Sequence, residues 1–324
     1  VAGLWLGIDV GGTKVAFALG EADGTLLAHR RRPTRPSGDP ERDVAELAAG
    51  ARELLAEAGV EVGALAGVGV ALPGPLDPVG DRVIAPPNLP GWRDVPVRRW
   101  LASHLGEVPI ALENDANAAA LAEFRFGAGR DHGSLVYLTM STGVGGGIVA
   151  DGRIVRGHRW SAGEIGHTVL EWEGEPCACG LRGCVEAYIG GASWARRLAA
   201  ITPAESRVAL LAGGREKATP REVLEAAREG DAFALEELER FNTLLSRTIV
   251  SVVFTVDPQA VLLGTIPTAA GELVFGPVRE KVRSHLWPRL AEVEILPVGL
   301  GEELPYYAGI CAALAALEPE AAGG

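Results

Sequence analysis

Apolar residues fall along this chain in two periods. From Leu4 an apolar run reaches Val10 and meets Gly11-Gly12-Thr13-Lys14, after which Val15, Phe17 and Leu19 alternate with smaller residues. This pattern predicts strand, glycine turn, strand. Asp23-Gly24 signals a hairpin into a third strand over 26–29. Residues 40–58 carry Val44, Leu47, Leu54 and Leu55 at helical spacing and stop at Gly59. A buried strand over 65–72 enters a loop, PGPLD, and an irregular stretch containing APPNLPGW (85–92). The pattern continues with a helix over 95–105, a strand over 109–112 and an alanine-rich helix over 116–126. A strand over 135–140 then runs into STGVGGG (141–147) and out through 148–150. That repeats the motif of residues 4–19 and points to an internally duplicated fold. Helices over 192–200, 220–229 and 232–254 follow, then a strand over 259–263, a helix over 277–290, a strand over 293–297 and an apolar helix over 306–317. Strands alternating with helices predict an α/β protein.

Length and charge narrow the classes. With 324 residues the chain can build two cores. A net charge of -12 opposes general nucleic-acid binding. The one basic run, HRRRPTR (29–35), reads as a solvated loop, with phosphate binding as the alternative. No apolar run approaches a membrane span, and no signal peptide is visible. Few cysteines, three of them clustered, fit a reducing cytoplasm.

The cluster lies in SAGEIGHTVLEWEGEPCACGLRGCVEAYIGG (161–191). His167, Cys177, Cys179 and Cys184 supply four ligands suited to a closed, structural tetrahedral zinc site. Buried apolar cysteines or disulfide halves are the alternatives, although Cys-x-Cys is too short to bridge within itself. Glu164 and Glu186 flank the cluster. If one ring nitrogen of His167 binds the metal, its other N–H is free to meet a ligand hydroxyl. On this reading the metal holds Glu164, His167 and Glu186 in register without touching phosphate.

Two glycine segments offer backbone N–H groups to phosphate oxygens. The first adds Asp9, Thr13 and Lys14 to Gly11 and Gly12; the second presents Thr142, Gly143, Gly145 and Gly146. Neither is a Walker A motif or a dinucleotide fingerprint. Asp115, between strand and helix, is the candidate general base, with a helix cap as its other reading. Asn88, Asn114, Asp115, Glu164, His167 and Glu186 form a set suited to a polyol.

These motifs together resemble the ROK family of repressors and sugar kinases, most of all its glucokinase branch. DVGGTK (9–14) and STGVGGG (141–147) are similar to its phosphate motifs, LENDANAAALAE (112–123) to its catalytic segment, and GEIGH with CACGLRGCVE to its sugar and zinc signature. The resemblance implies a duplicated ribonuclease-H-like (actin/hexokinase-type) α/β fold with an interdomain cleft. One domain would take 1–113 with 303–324, the other 114–302. It implies ATP, Mg2+ and structural Zn2+, Asp115 as base, and Asn88, Asn114, Glu164, His167 and Glu186 as sugar ligands with Gly74 beside the pocket. A homo-oligomer, dimer or tetramer, is implied too. VLLGTIPT (261–268) departs from the family by placing Thr265 after Gly264, where two or three glycines are usual. A β-branched residue disfavours positive φ, which predicts a different turn. Glucose at O6 is the expected substrate. N-acetylmannosamine, fructose, mannose or allose, and polyphosphate as donor, stay open. A sugar-responsive regulator is the distant alternative, since the first strand begins at about Leu4 and leaves no room for a DNA-binding module before it. A zinc-stabilised structural protein would leave the paired phosphate motifs unexplained.

Overall fold

A computed structural model describes residues 3–86 and 88–317. Its strands in chain order are β1 (Leu4–Val10), β2 (Lys14–Glu21), β3 (Leu26–Pro33), β4 (Leu65–Leu72), β5 (Leu76–Asp77), β6 (Arg82–Val83), β7 (Ile110–Asn114), β8 (Leu135–Met140), β9 (Val144–Ala150), β10 (Arg153–Ile154), β11 (Ala260–Thr265) and β12 (Glu294–Pro297). The helices are α1 (Pro40–Ala58), α2 (Val97–Leu105), α3 (Asp115–Phe126), α4 (Val185–Ile189), α5 (Gly191–Ile201), α6 (Arg207–Ala212), α7 (Pro220–Arg228), α8 (Ala232–Val256), α9 (Ile266–Ala270), α10 (Glu272–Ser284) and α11 (Leu304–Leu317).

One sheet is ordered β3-β2-β1-β4-β7 and a second β10-β9-β8-β11-β12. Numbered within its own half, each reads 3-2-1-4-5, so the duplicated glycine motif marks a duplicated topology. In both, strand 2 joins its sheet as a hairpin, whereas strands 4 and 5 add in parallel through helical crossovers. This is the ribonuclease-H-like arrangement of the actin/hexokinase type.

The chain divides into two compact units. One runs to Asp131 and takes up Gly147–Ala162 and the chain from Gly299 onward; the other holds His132–Gly146 and Gly163–Val298. Beside the expected halves, α3 and residues 147–162 fall with the first unit, because α3 packs on α11.

In the first unit, period-two alternation sorts β1 between two layers. Leu6, Ile8 and Val10 join Val44, Leu54 and Leu55 of α1 in the main core. Trp5 faces the other way, with Ile310 and Ala313 of α11. There α11 comes so close that a Cβ on Gly7 would lie 2.5 Å from the Ile310 nitrogen, and one on Gly69 2.0 Å from the Gly309 oxygen. α1 starts where Asp39 accepts from the Glu41 and Arg42 amides, with Pro40 in its first turn, and ends at Gly59 with φ 66°.

The basic run is no solvated loop: residues 29–33 complete β3. Arg30 pairs with Glu53 at 2.7 Å and with Glu57, both on α1. Arg31 donates to the Glu302 carbonyl and lies over the Tyr306 ring, and Arg32 donates to the Glu46 carbonyl and lies over Phe17. An edge strand carrying arginines also discourages pairing with another chain.

Glu123 is fully buried near the end of α3. Its Oε2 accepts from the Ala128 and Gly299 amides, each at 2.9 Å, and its Oε1 from the Leu300 amide at 3.0 Å. The carboxylate thereby anchors the segment on which the chain returns to the first unit. Glu123→Gln turns one acceptor oxygen into a donor facing an amide. It is expected to cost about 1–3 kcal/mol, read from the urea midpoint of unfolding.

In the second unit, α10 begins at Glu272 and Pro277 lies inside it rather than at its start. Proline has no N–H for the carbonyl four residues back. That carbonyl, on Leu273, accepts instead from Asn242 Nδ2 of α8 at 3.0 Å. No helix among the described residues is long and apolar enough to cross a membrane.

Candidate active site

β7 delivers Glu113, Asn114 and Asp115 to the start of α3. Asn114, not Asp115, caps the helix: its Oδ1 accepts from the Ala116 and Asn117 amides at 2.9 and 3.3 Å. This leaves the Asn114 amide group as a donor. Asp115 takes the first helical position, with Oδ1 2.8 Å from the Ala116 nitrogen, where the helix dipole favours a carboxylate. Asp115 also makes itself felt at Asp9 on β1. Burial first, and then repulsion from Asp115, push the Asp9 carboxyl up to about 8, with Arg31 pulling the other way. A buried carboxylate whose proton affinity is raised by a second carboxylate is also a place where a divalent cation is favoured.

Glu113 is a residue that pattern reading missed. Almost fully buried, it accepts from the Asn114 amide and Asn117 Nδ2 on Oε1, each at 3.0 Å, and from Arg156 Nε and Nη2 on Oε2, each at 2.8 Å. Arg156 itself stacks on Trp160. The pair fixes the backbone that presents Asp115. Its partners stand 43 residues apart in sequence, and the only signal was an acid at an otherwise buried strand position.

The first glycine turn lies in the same unit. Gly12, Thr13 and Lys14 are exposed. The turn is tied at its base by Gly11 N–H to the Lys14 carbonyl at 2.9 Å. Thr34 holds it from the side: its hydroxyl donates to the Gly11 carbonyl at 2.7 Å and its amide to the Thr13 carbonyl at 2.9 Å. A Cβ on Gly12 would stand 3.2 Å from the Asn88 Cβ, so that glycine lets the turn lie against a candidate sugar ligand. Asn88 is exposed, and Gly74, just beyond β4, is half-buried.

The second unit carries the other candidates. Of STGVGGG only Ser141, Thr142 and Gly143 form a turn, while Val144–Ala150 is already strand β9. The glycines at 145–147 therefore stand on the strand, beyond the turn. Gly146 and Gly147 also permit close packing: a Cβ would meet the Gly163 oxygen at 2.7 Å from the first and the Ala116 oxygen at 2.7 Å from the second. The turn is held by the Gly191 and Ala192 amides, which donate to the Ser141 and Thr142 carbonyls at 2.8 and 2.9 Å.

Gly264 is buried in β11 opposite Thr139. Thr265 has φ 64° and ψ -105°. The expectation that threonine would impose another turn is thus overturned, since the backbone keeps a glycine-like conformation at positive φ. Thr265 bears it through a hydroxyl–hydroxyl bond with Thr139. Such strain costs about 1–3 kcal/mol.

His167, Cys177, Cys179 and Cys184 converge, their ligand atoms all within 4.8 Å of one another. The Cys179 and Cys184 sulfurs are 3.7 Å apart, and the Cys177 sulfur is 3.8 Å from His167 Nδ1. A tetrahedron with metal–ligand bonds of about 2.0–2.3 Å has edges of about 3.3–3.8 Å, so the donor set fits zinc. The sequence builds it with left-handed glycines: Gly180 at φ 90° turns the chain between Cys179 and Leu181, and Gly183 at φ 74° delivers Cys184 to the start of α4. Because Nδ1 faces the thiols, Nε2 is the nitrogen left for another partner. Glu164 is exposed, its carbonyl accepting from the His167 amide at 3.0 Å.

Glu186, on α4, does more than flank the cluster. Its Oε1 lies 3.6 Å from the Cys177 sulfur, and its Oε2 accepts from the Val144 amide at 2.9 Å. The metal segment thus reaches the backbone where the second glycine turn passes into β9.

Duplicated ribonuclease-H-like halves, paired glycine turns and a histidine–cysteine cluster define a class of α/β proteins of the actin/hexokinase type. Within that class this chain belongs to the ROK family, whose model matches residues 5–306. It is 38% identical to the glucokinase of Thermotoga maritima over 286 residues, which cover 87% of this chain and 88% of that protein. It is also 38% identical to the N-acetylmannosamine kinase of Escherichia fergusonii over 271 residues, 83% of this chain and 86% of that one. Among solved structures, the ROK hexokinase from Thermus thermophilus matches with a TM-score of 0.82 and 35% identity, covering 96% of this chain and 98% of that one.

Proposed function

We propose that this protein is a sugar kinase that transfers the terminal phosphoryl group of ATP to a hexose, glucose at O6. The observation that carries the reading is the placement, within one unit, of Asp115 at a helix start beside Asp9 and an exposed glycine turn with its lysine. Phosphoryl transfer asks little covalent chemistry of a protein: positioned donors, a cation and one carboxylate suffice. Asp115 takes the proton of the sugar hydroxyl as it attacks, from a position at the start of α3. Asp9 is the group that would hold Mg2+, which neutralises charge on the phosphates. Gly11, Gly12, Thr13 and Lys14 in the first unit and Thr142, Gly143, Gly145 and Gly146 in the second are the candidate phosphate contacts, with Gly264 and Thr265 the candidates for the nucleoside. Asn88, the Asn114 amide, Glu164, His167 Nε2 and Glu186 take the sugar hydroxyls, with Gly74 beside them. Zinc, held by His167 and the three cysteines, keeps the sugar ligands in register and does no redox or acid–base work. The thiolates suit a reducing cytoplasm, and a homo-oligomer is the expected assembly.

N-acetylmannosamine phosphorylation is the second reading, favoured by equal identity to a kinase of that sugar. A panel of glucose, mannose, fructose, allose and N-acetylmannosamine, each with ATP and magnesium, decides between them. The highest kcat/KM is expected for glucose, with glucose 6-phosphate seen by phosphorus NMR. A flat response, or none, overturns the proposal.

A further inference from the structure

We propose that Glu186 is a positioning residue for the nucleotide side of the reaction, which ties the second glycine turn to the metal segment. The inference rests on the kinase reading above and deepens it. Its basis is a chain of contacts inside one unit. Cys184, a metal-ligand candidate, immediately precedes α4, and Glu186 is the second residue of that helix. The Glu186 Oε2 accepts the Val144 N–H at 2.9 Å, at the point where the turn Ser141–Gly143 becomes β9. A Cβ on Gly143 would lie 2.2 Å from that same oxygen, so the missing side chain is what admits the carboxylate. One helical turn further on, the Gly190 amide donates to the Glu186 carbonyl at 3.0 Å, and Gly191 and Ala192 donate to the Ser141 and Thr142 carbonyls. The metal segment makes a second contact through its histidine turn: a Cβ on Gly166 would lie 2.2 Å from the Val144 oxygen. Both the N–H and the C=O side of Val144 are thus framed by residues that flank metal ligands.

A sugar ligand alone would need none of this. The carboxylate directs one oxygen to the backbone of the phosphate turn and leaves the other beside Cys177. A side-chain oxygen accepting this backbone N–H adds enough to hold a glycine-rich turn in one conformation. The turn is then preorganised for phosphate before any sugar arrives.

The test measures binding of a non-hydrolysable ATP analogue with magnesium, in the absence of sugar, by calorimetry. Wild type, Glu186→Ala and Glu186→Gln are compared, with metal content determined on each sample. Glu186→Ala is expected to bind the nucleotide about tenfold or more weakly, while Glu186→Gln, which keeps an acceptor for the Val144 N–H, stays within about threefold of wild type. Equal affinity in wild type and Glu186→Ala overturns the inference, because a residue serving only the sugar does not move a sugar-free constant. A Glu186→Gln protein as weak as Glu186→Ala also overturns it. So does full recovery of the alanine variant once its metal is restored. A wild-type protein that binds neither nucleotide nor sugar would instead sink the kinase reading itself.

Discussion

Asp115→Asn is expected to lower kcat with glucose and ATP by about 10²–10⁴-fold and to leave the glucose dissociation constant within about threefold of wild type. The substitution is nearly isosteric. Its Oδ1 can still accept from the Ala116 amide, and Asn114 continues to cap α3. The helix start and the sugar contacts therefore survive, and what disappears is the proton acceptor. A second readout is independent of turnover. Repulsion from Asp115 is the second cause, after burial, of the raised Asp9 pKa. Removing that charge should move the Asp9 titration down from about 8, followed by carboxyl carbon NMR. An asparagine variant that turns over at the wild-type rate removes Asp115 from the chemistry.

Cys179→Ala is expected to abolish stoichiometric zinc and to lower stability by several kcal/mol, since structural zinc sites contribute their binding energy to folding. Cys179 is the exposed member of the cluster, so its thiol can be removed with little loss of packing and the effect reports the metal. The sugar KM should rise most, because His167 loses the partner that fixes its ring. Nucleotide affinity should fall with it, through Glu186 and Val144. Plasma mass spectrometry for zinc, thermal unfolding and the two KM values check this. A variant with no zinc and unchanged kinetics would reduce the cluster to a fold staple.

The fold was legible where local chemistry agreed with tertiary demand. β1, α1 and β4 have the bounds that their apolar patterns predict, because caps and turns at their ends are written in neighbouring residues. Legibility failed where a distant partner decided the outcome. The arginines after His29 read as loop, but α1 supplies Glu53 and Glu57 to hold them in a strand. Pro277 read as a helix start, but Asn242 takes up the carbonyl it abandons. Thr265 read as a different turn, but its bond to Thr139 keeps positive φ. At the candidate site, the metal ligands were visible because four chemically special residues share a short segment. The Glu113–Arg156 pair was not, because nothing near either residue names the other. Glu186 stood between these cases: its carboxylate was flagged, but its reach to the Val144 amide depends on Gly143 having no side chain.

The seating of α11 on Gly7 and Gly69 sets an order for the protein's birth. A ribosome releases the β1–β4 region first, but those strands keep an uncovered glycine face until α11 emerges. Every residue of the second unit, up to Val298, is synthesised before that helix. The second unit can therefore be complete while the first still waits, with Trp5 and the glycine strip exposed to other nascent chains. Translation speed over the stretch that encodes α11, and chaperone occupancy while that helix emerges, should therefore bear on yield.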